Sequence, residues 1–339
     1  ALKKLDFNFA CDLFMNPTTQ SCCDVFLPVA STIEHDGMVV THYGLNSSFY
    51  GAQNKCVQVG ECLSDVEIMM MVGKKTYPDF WNRFETLEDY NNFHVLRSWL
   101  PWEQLRDNVV TMSNEPYYKY KIGKLRPDGQ PGFPTTTGRV ELYCTTLEAF
   151  GNDPLPSYEE PPESPLSTPK RFEEYPIVLT TGHRSFEFFH SEHRNQKTMR
   201  EFHPNPRVRI HPETAAKYGI EDGQWVWIEN QRGRCRQIAW VTEGMKPGCA
   251  SAEHGWWFPE TEGAEPNLYG VFDSNINNLT SMMVVGETGY GAPYKGLLCK
   301  IYPCTEENSK VMPSEQVTRL GGWQYDRVEK LAMGGHKYE

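Results

Sequence analysis

Apolar residues in the first third of the chain come in short clusters punctuated by turn formers. Phe7–Cys11 reads as a short strand. Cys22–Leu27 reads as a second strand, closed by Pro28. Glu34-His35-Asp36-Gly37 signals a turn, and a further apolar segment runs from Asp65 to Val72, with Ser64-Asp65 placed as a helix start. Beyond residue 73 the period changes. Phe80, Phe84 and Leu87 recur at spacings of four and three, which predicts helical structure over 73–110. A region of loops and a hairpin is expected next, around Arg126-Pro127-Asp128-Gly129 and Gly132-Phe133-Pro134.

The second half has a different texture. Gly151–Lys170 holds Pro154, Pro156, Pro161, Pro162, Pro165 and Pro169 among acidic and small residues, and predicts a stiff, extended linker. Strands then follow at short, regular intervals: Tyr175–Thr180, Arg207–Ile210, Trp225–Glu229 and Arg234–Val241. Pro212 opens a short helix and Gly219 closes it, while Glu221-Asp222-Gly223-Gln224, Arg232-Gly233 and Lys246-Pro247-Gly248 supply turns. Short strands between regular turns predict a small barrel. The expected division is α/β material with a connecting segment over 1–150, a linker over 151–174, a β-barrel over 175–304 and a polar extension over 305–339 that wraps the surface.

Composition narrows the classes. With 39% hydrophobic and 23% charged residues over 339 positions, the chain has the make-up of a globular protein rather than a disordered or fibrous one. No apolar run approaches the ~20 residues of a membrane-spanning helix. A net charge of −11 argues against general nucleic-acid binding, which needs a cationic face. The ten cysteines form no C-x-x-C pair, so neither a zinc ribbon nor an iron–sulfur cluster is encoded, and all ten are expected to be structural. Cys22 and Cys23 are read as small buried hydrophobes within the strand. The opening Ala1-Leu2-Lys3-Lys4 shows no signal peptide and reads as the inside of an element, so the sequence is expected to be a fragment.

Candidate chemistry concentrates between Thr181 and His211. Arg184, Arg194, Lys197, Arg200, Arg207 and Arg209 face only Glu187, Glu192 and Glu201, and five of the ten histidines lie there too. A cationic segment in an acidic chain indicates an anionic partner of limited size. Thr180-Thr181-Gly182-His183-Arg184 ends a strand, and a glycine turn there can bring backbone N–H groups and an arginine to a phosphate. An ordinary turn with solvated charges accounts for the same residues equally well. His190-Ser191-Glu192-His193 lacks the H-E-x-x-H spacing and a third ligand, so hydrogen bonding is favoured over a metal. No nucleophile motif, dinucleotide fingerprint or P-loop occurs. Asp12 and Asp65 are either a turn cap and a helix-start charge or acceptors for the paired N–H donors of a guanine edge. Trp256-Trp257 reads as core before it reads as the lining of a funnel.

The ordered set of motifs resembles one family. Asp12-Leu13-Phe14-Met15-Asn16-Pro17-Thr18-Thr19, Cys23-Asp24-Val25-Phe26-Leu27-Pro28 and Glu34-His35-Asp36-Gly37 resemble the third domain of molybdopterin oxidoreductases of the dimethyl sulfoxide reductase family. Gly132–Leu142 resembles the connection to that family's last domain. Thr181-Gly182-His183, Phe189-His190-Ser191, the Pro212–Gly219 helix, Gly219–Gly223, Asn277-Asn278-Leu279-Thr280 and Pro293-Tyr294-Lys295 resemble its C-terminal dinucleotide-binding domain. The resemblance spans residues 5–302.

That resemblance implies the end of an α/β, Rossmann-like domain followed by a six-stranded double-psi-type β-barrel. It implies a bis-(molybdopterin guanine dinucleotide) cofactor with molybdenum or tungsten, held in an oxidoreductase. The Thr181–Ser191 loop, with Thr181, Gly182, His183, Arg184, Ser185, Phe189, His190 and Ser191, would cradle one dinucleotide, and Asn277 and Lys295 would complete the site. Asp12 and Asp65 match positions at the second dinucleotide's guanosine, and His35 stands where relatives carry lysine. The metal ligand and a [4Fe–4S] cluster belong to an N-terminal half outside this sequence. The lone chain is therefore expected to be inactive, with no catalytic residue and no metal ligand of its own. Implied partners are that N-terminal half, a small-molecule substrate and an iron–sulfur electron-transfer subunit. The Phe188–Arg194 stretch is similar to members that act by hydration or hydroxyl transfer, so a non-redox reaction on the same cofactor is the alternative, and a non-catalytic nucleotide-binding or scaffold module is a third. Localisation stays open between cytoplasmic and exported by a twin-arginine signal.

Overall fold

The computed structural model describes residues 1–40, 49–95, 100–108, 110–112, 116–281, 283–285 and 294–309. They fall into two compact units, one of Ala1–Met15 with Cys22–Thr146, the other of Asn16–Ser21 with the chain from Leu147 onward.

The first unit holds β1 (Phe9–Asp12) and β2 (Val25–Pro28), and α1 (Pro17–Cys22) lies between them in the chain. β1 and β2 pair in parallel, with Asp12 opposite Pro28. The expected strand Cys22–Leu27 is corrected at its start. Asn16 Oδ1 accepts the Thr19 N–H at 3.0 Å, Pro17 sits in the first turn, and the short helix so nucleated takes Cys22 with it. Cys22 and Cys23 are half-buried outside any strand. β3 (Gly37–Val40), β4 (Phe49–Gln53) and β5 (Val110–Met112) form a small antiparallel sheet.

The Asp65–Val72 segment is the start of α2 (Asp65–Thr76). Its first turn is closed by a reciprocal cap, with Ser64 Oγ accepting the Glu67 N–H and Glu67 accepting the Ser64 N–H. Residues 73–110 are not one helical run. They divide into the end of α2, α3 (Pro78–Trp81), α4 (Leu87–Val95) and α5 (Trp102–Asn108). Phe84, buried between α3 and α4, packs edge-on to Phe80, Tyr90 and Phe93, and the apolar centre of this unit is Ala52, Val95, Trp102 and Leu105. Residues 116–144 are turns without paired strands, tied by Gly132 N–H to Tyr120 O and Phe133 N–H to Gly138 O.

After α6 (Thr145–Ala149) the proline-rich stretch packs onto the second unit. The Glu163 carboxylate is buried and pairs with Arg232 and Arg171, and Gly296 has no room for a side chain because Pro161 lies against it. α7 (Pro169–Glu174) leads into β6 (Ile177–His183), and the remaining elements are α8 (Lys197–Phe202), β7 (Arg207–Ile210), α9 (Pro212–Lys217), β8 (Trp225–Asn230), β9 (Gly233–Val241), β10 (Cys249–Glu253), α10 (Val271–Ser274) and β11 (Leu297–Pro303). The six strands close into a mixed barrel in the order β10-β6-β11-β8-β9-β7, with β6/β10 and β7/β9 parallel and the other pairs antiparallel.

Alternation of buried and less buried residues along β6 sends Ile177, Leu179 and Thr181 inward. Ile177 and Leu179 join Val208, Ile210, Val226, Ile228, Ala250, Ala252 and Ile301 among others in one apolar core. Each fully buried aliphatic side chain there contributes roughly 1.5–3 kcal/mol. The turn chemistry agrees with the sequence. His211 caps α9 through Nδ1, Gly219 and Gly223 have positive φ, and Asp222 Oδ1 accepts the Val241 N–H at 2.7 Å. Because β6 and β10 are parallel neighbours, the segments leaving His183 and Glu253 emerge side by side from one barrel end.

Candidate functional site

β6 runs out at Gly182 and His183. Gly182 has φ +85°, a left-handed conformation that favours glycine, and a Cβ built there meets nothing within 4 Å. The glycine thus faces open space next to the barrel rim, the property a close-approaching ligand needs. Thr181 is buried, and both its N–H and its hydroxyl donate to Tyr294 O, at 3.2 and 2.9 Å. Its hydroxyl is engaged inside the fold, and it anchors the turn. Lys295, exposed, follows the residue that Thr181 holds.

The segment after His183 folds back over the rim. Arg194 is 3% exposed, with its guanidinium 3.8 Å from the Phe188 ring centre and 4.2 Å from that of Trp256. One of its nitrogens, Nη2, donates to His190 O and His254 O. Burial pulls Arg194 down to about 9, opposed by Glu253 and Glu187. Trp256 and Trp257 are core, as the sequence favoured, and Trp257 Nε1–H is tied to Ser191 O at 3.1 Å. Gly255, φ +66°, lies so close to His190 and Ser191 that a Cβ would stand 3.0 Å from their backbone. α8 is braced by Arg200, which pairs with Glu260 at 2.8 Å.

Beneath this lid lies Glu253, 2% exposed, which accepts from His203 Nε2 at 3.0 Å and from the Arg207 N–H at 3.2 Å, with His183 Nε2 at 3.9 Å. Burial alone would raise this carboxyl. His203, His183 and Arg207 outweigh it and hold the group below the ordinary carboxylate range. Burial lowers His183, against the pull of Glu253. Burial also lowers His254. His190 Nδ1 is 2.9 Å from His254 Nε2, and Arg184 Nη2 is 3.4 Å from His190 Nε2.

His183, Arg184, Ser185, Phe188, His190, Arg194, Glu253 and His254 therefore line one narrow crevice. It adjoins an open hollow of about 380 Å³ walled by Ser185, Phe186, Phe188, Phe189 and His193. Arg194 Nε and Nη1 and Arg209 Nε are buried N–H donors without a hydrogen-bond acceptor. Orphaned cationic donors beside a glycine turn with room above it fit an anionic ligand. Among the described residues no group of three or more His, Cys, Asp or Glu is arranged to hold a metal.

Of the sequence candidates, Gly182, His183, Arg184, Ser185, Phe189, His190 and Ser191 are gathered at this rim. Asn277 sits exposed on a 3-10 turn (Ile276–Leu279), and among the described residues no hydrogen bond joins it to the loop. In the first unit, Asp12 ends β1, Val29 pairs in parallel with Leu63, and Asp65 opens α2 just beyond. Both carboxylates thus lie at the carboxyl edge of parallel strands, where α/β folds bind ligands. His35 is half-buried and hydrogen-bonded to Gln53 at 2.9 Å. Glu253 and His254 escaped the sequence reading, because nothing local marks them and only the β6/β10 pairing brings them under Gly182.

The chain thus has a closed mixed barrel whose rim carries a glycine turn, a buried arginine and aromatic walls. Residues 177–297 match the family described as Molydopterin dinucleotide binding domain. The chain is 30% identical to a dopamine dehydroxylase of Eggerthella lenta, over 91% of this chain and 36% of that protein. It is 25% identical to a trimethylamine-N-oxide reductase of Haemophilus influenzae, over 76% of this chain and 33% of that protein. The solved acetylene hydratase from Pelobacter acetylenicus superposes with a TM-score of 0.75 at 26% identity, covering 89% of this chain and 41% of that one. The chain belongs to the dimethyl sulfoxide reductase family and carries its molybdopterin dinucleotide-binding domain, spanning about a third to two fifths of the length of these relatives. No helix among the described residues is long and apolar enough to cross a membrane.

Proposed function

We propose that this chain holds a bis-(molybdopterin guanine dinucleotide) carrying molybdenum or tungsten, as the cofactor-binding portion of an oxidoreductase. The observation that supports it most is the pairing of the open Gly182 turn with the buried donors of Arg194. When bound, the cofactor supplies oxygen-atom or electron transfer at its metal. The chain's own residues bind and exclude water. Backbone N–H groups at Gly182–Ser185 and the guanidinium groups of Arg184 and Arg194 meet phosphate, Phe188 and Phe189 wall the pterin, and Lys295 and Asn277 close the far side. Asp12 and Asp65 accept the N1–H and N2–H₂ donors of the second guanine. Electron-transfer partners, a [4Fe–4S] cluster and the metal ligand belong to other parts of the holoenzyme in this reading, and the chain alone does not turn over.

A second reading keeps the cofactor and replaces redox chemistry with hydration. It is favoured by the match to the acetylene hydratase structure along most of this chain. Calorimetric titration of the purified chain with GDP, a probe for the nucleotide half, tests the shared part of both readings. GDP binding that is abolished by Gly182→Val is expected. A folded chain that takes GDP no better than the variant does would contradict it.

A further inference from the structure

Three hydrogen bonds at the rim form a continuous series. Arg184 Nη2 meets His190 Nε2 at 3.4 Å, His190 Nδ1 meets His254 Nε2 at 2.9 Å, and His254 Nδ1 meets His183 O at 3.3 Å. A guanidinium only donates and a carbonyl only accepts, so the two ends fix the direction of the whole series. His254 carries its proton on Nδ1 to reach His183 O. Its Nε2 is then an acceptor, so His190 also carries its proton on Nδ1, and His190 Nε2 accepts from Arg184. All three bonds exist together only when both imidazoles are neutral. One added proton costs one link. If it lands on His190, two N–H groups face each other at Arg184; if it lands on His254, they face each other between the rings, and a tautomer change in His190 moves the break to Arg184.

The two ring-bearing segments leave adjacent parallel strands, and Arg194 bridges their carbonyls at His190 and His254. Gly255 packs against the backbone of His190 and Ser191, so the base of His190 is held. We propose that Arg184, His190 and His254 form a proton-sensitive latch, in which the neutral pair fixes Arg184 over the glycine turn and protonation releases it. His190 and His254 act as positioning residues. The titratable and charged groups that face the pair are Arg184 and His183 from the end of β6 and its loop, Arg194 from the fold-back ahead of α8, and Glu253 from β10. Glu253 is occupied by His203 and the Arg207 N–H, and Glu187 lies 3.6 Å from His203. Burial disfavours a second proton on His254, opposed by the His183 carbonyl and reinforced by Arg184 and Arg194.

The latch holds for the chain whatever it binds; only its consequence for a dinucleotide rests on the molybdopterin reading. Long-range proton–nitrogen spectra of the chain labelled with ¹⁵N-histidine, assigned through His190→Gln and His254→Gln, test it. At pH 8 both rings are expected as the Nδ1–H tautomer, with His190 losing that bias in the folded His254→Gln chain. An Nε2–H tautomer at either ring, or an unchanged His190 in the variant, would overturn the proposal. A GDP titration between pH 7.5 and 5.5 supplies the second readout. Affinity is expected to fall by at most about tenfold per pH unit, the limit for one proton per ligand, and to flatten in His254→Gln. An equally steep profile in wild type and variant counts against the latch. Absence of GDP binding at every pH defeats the binding reading alone, and the tautomers then decide the latch.

Discussion

Gly182 and Gly255 share a left-handed backbone for different reasons. A side chain at Gly182 meets open space, so Gly182→Ala carries only the conformational cost, roughly 1–2 kcal/mol. At Gly255 the same substitution adds a Cβ at 3.0 Å from the His190–Ser191 backbone, which has to shift. Thermal melts should therefore show a larger loss for Gly255→Ala than for Gly182→Ala, while ligand binding suffers in both. Equal losses would mean that the fold-back does not rest on Gly255. The Thr181-Gly182-His183-Arg184 turn was legible in the sequence because a glycine directly after an apolar strand has a local physical meaning. Arg194 was legible only as one more cation. Its place depends on Phe188 and Trp256 closing on it from two strand exits, and no local pattern encodes that. The Thr181 hydroxyl, by contrast, is engaged by Tyr294 O, a partner far along the chain that no local pattern announces.

At the scale of elements, caps decided where the pattern of apolar residues was ambiguous. The helix start read at Ser64-Asp65 holds, and the Ser64/Glu67 reciprocal cap makes it the start of α2. Ser64→Ala is expected to cost about 1 kcal/mol, visible as a lowered urea midpoint with an unchanged slope. No change would mean that the cap is not holding the first turn, and with it the orientation of Asp65. Asn16-Pro17 was the signal overlooked nearby; it starts α1 and delays β2 to Val25. Four of the six barrel strands were placed closely by their turns, whereas β10 and β11 were not read as strands. The cyclic order was not legible, because parallel pairing of β6 with β10 joins segments far apart in sequence and is written in no single window.

For the whole molecule, half-buried histidines set an acid limit. His183 and His254 are both lowered by burial from an ordinary value of 6.5, so the unfolded chain binds protons that the folded chain resists. Their contribution to stability is complete above pH 6.5 and is lost as pH falls through the window beneath it. Glu253 and Glu163, where paired cations overcome burial, are lowered too, and their contribution is lost only on further acidification from about 4.5. The urea midpoint should hold steady from pH 8 to 7 and then decline towards pH 5.5; a rise over that range would reverse the assignment of neutral histidines.

The claim on which the rest depends is that the barrel rim holds a molybdopterin dinucleotide. It is tested most directly by purifying the protein anaerobically as its own cell makes it, denaturing it, and quantifying the fluorescent oxidised pterin and the guanine nucleotide released. The account predicts both, in equal amounts, and their loss in a folded Gly182→Val variant. A folded, intact protein that releases neither would contradict it.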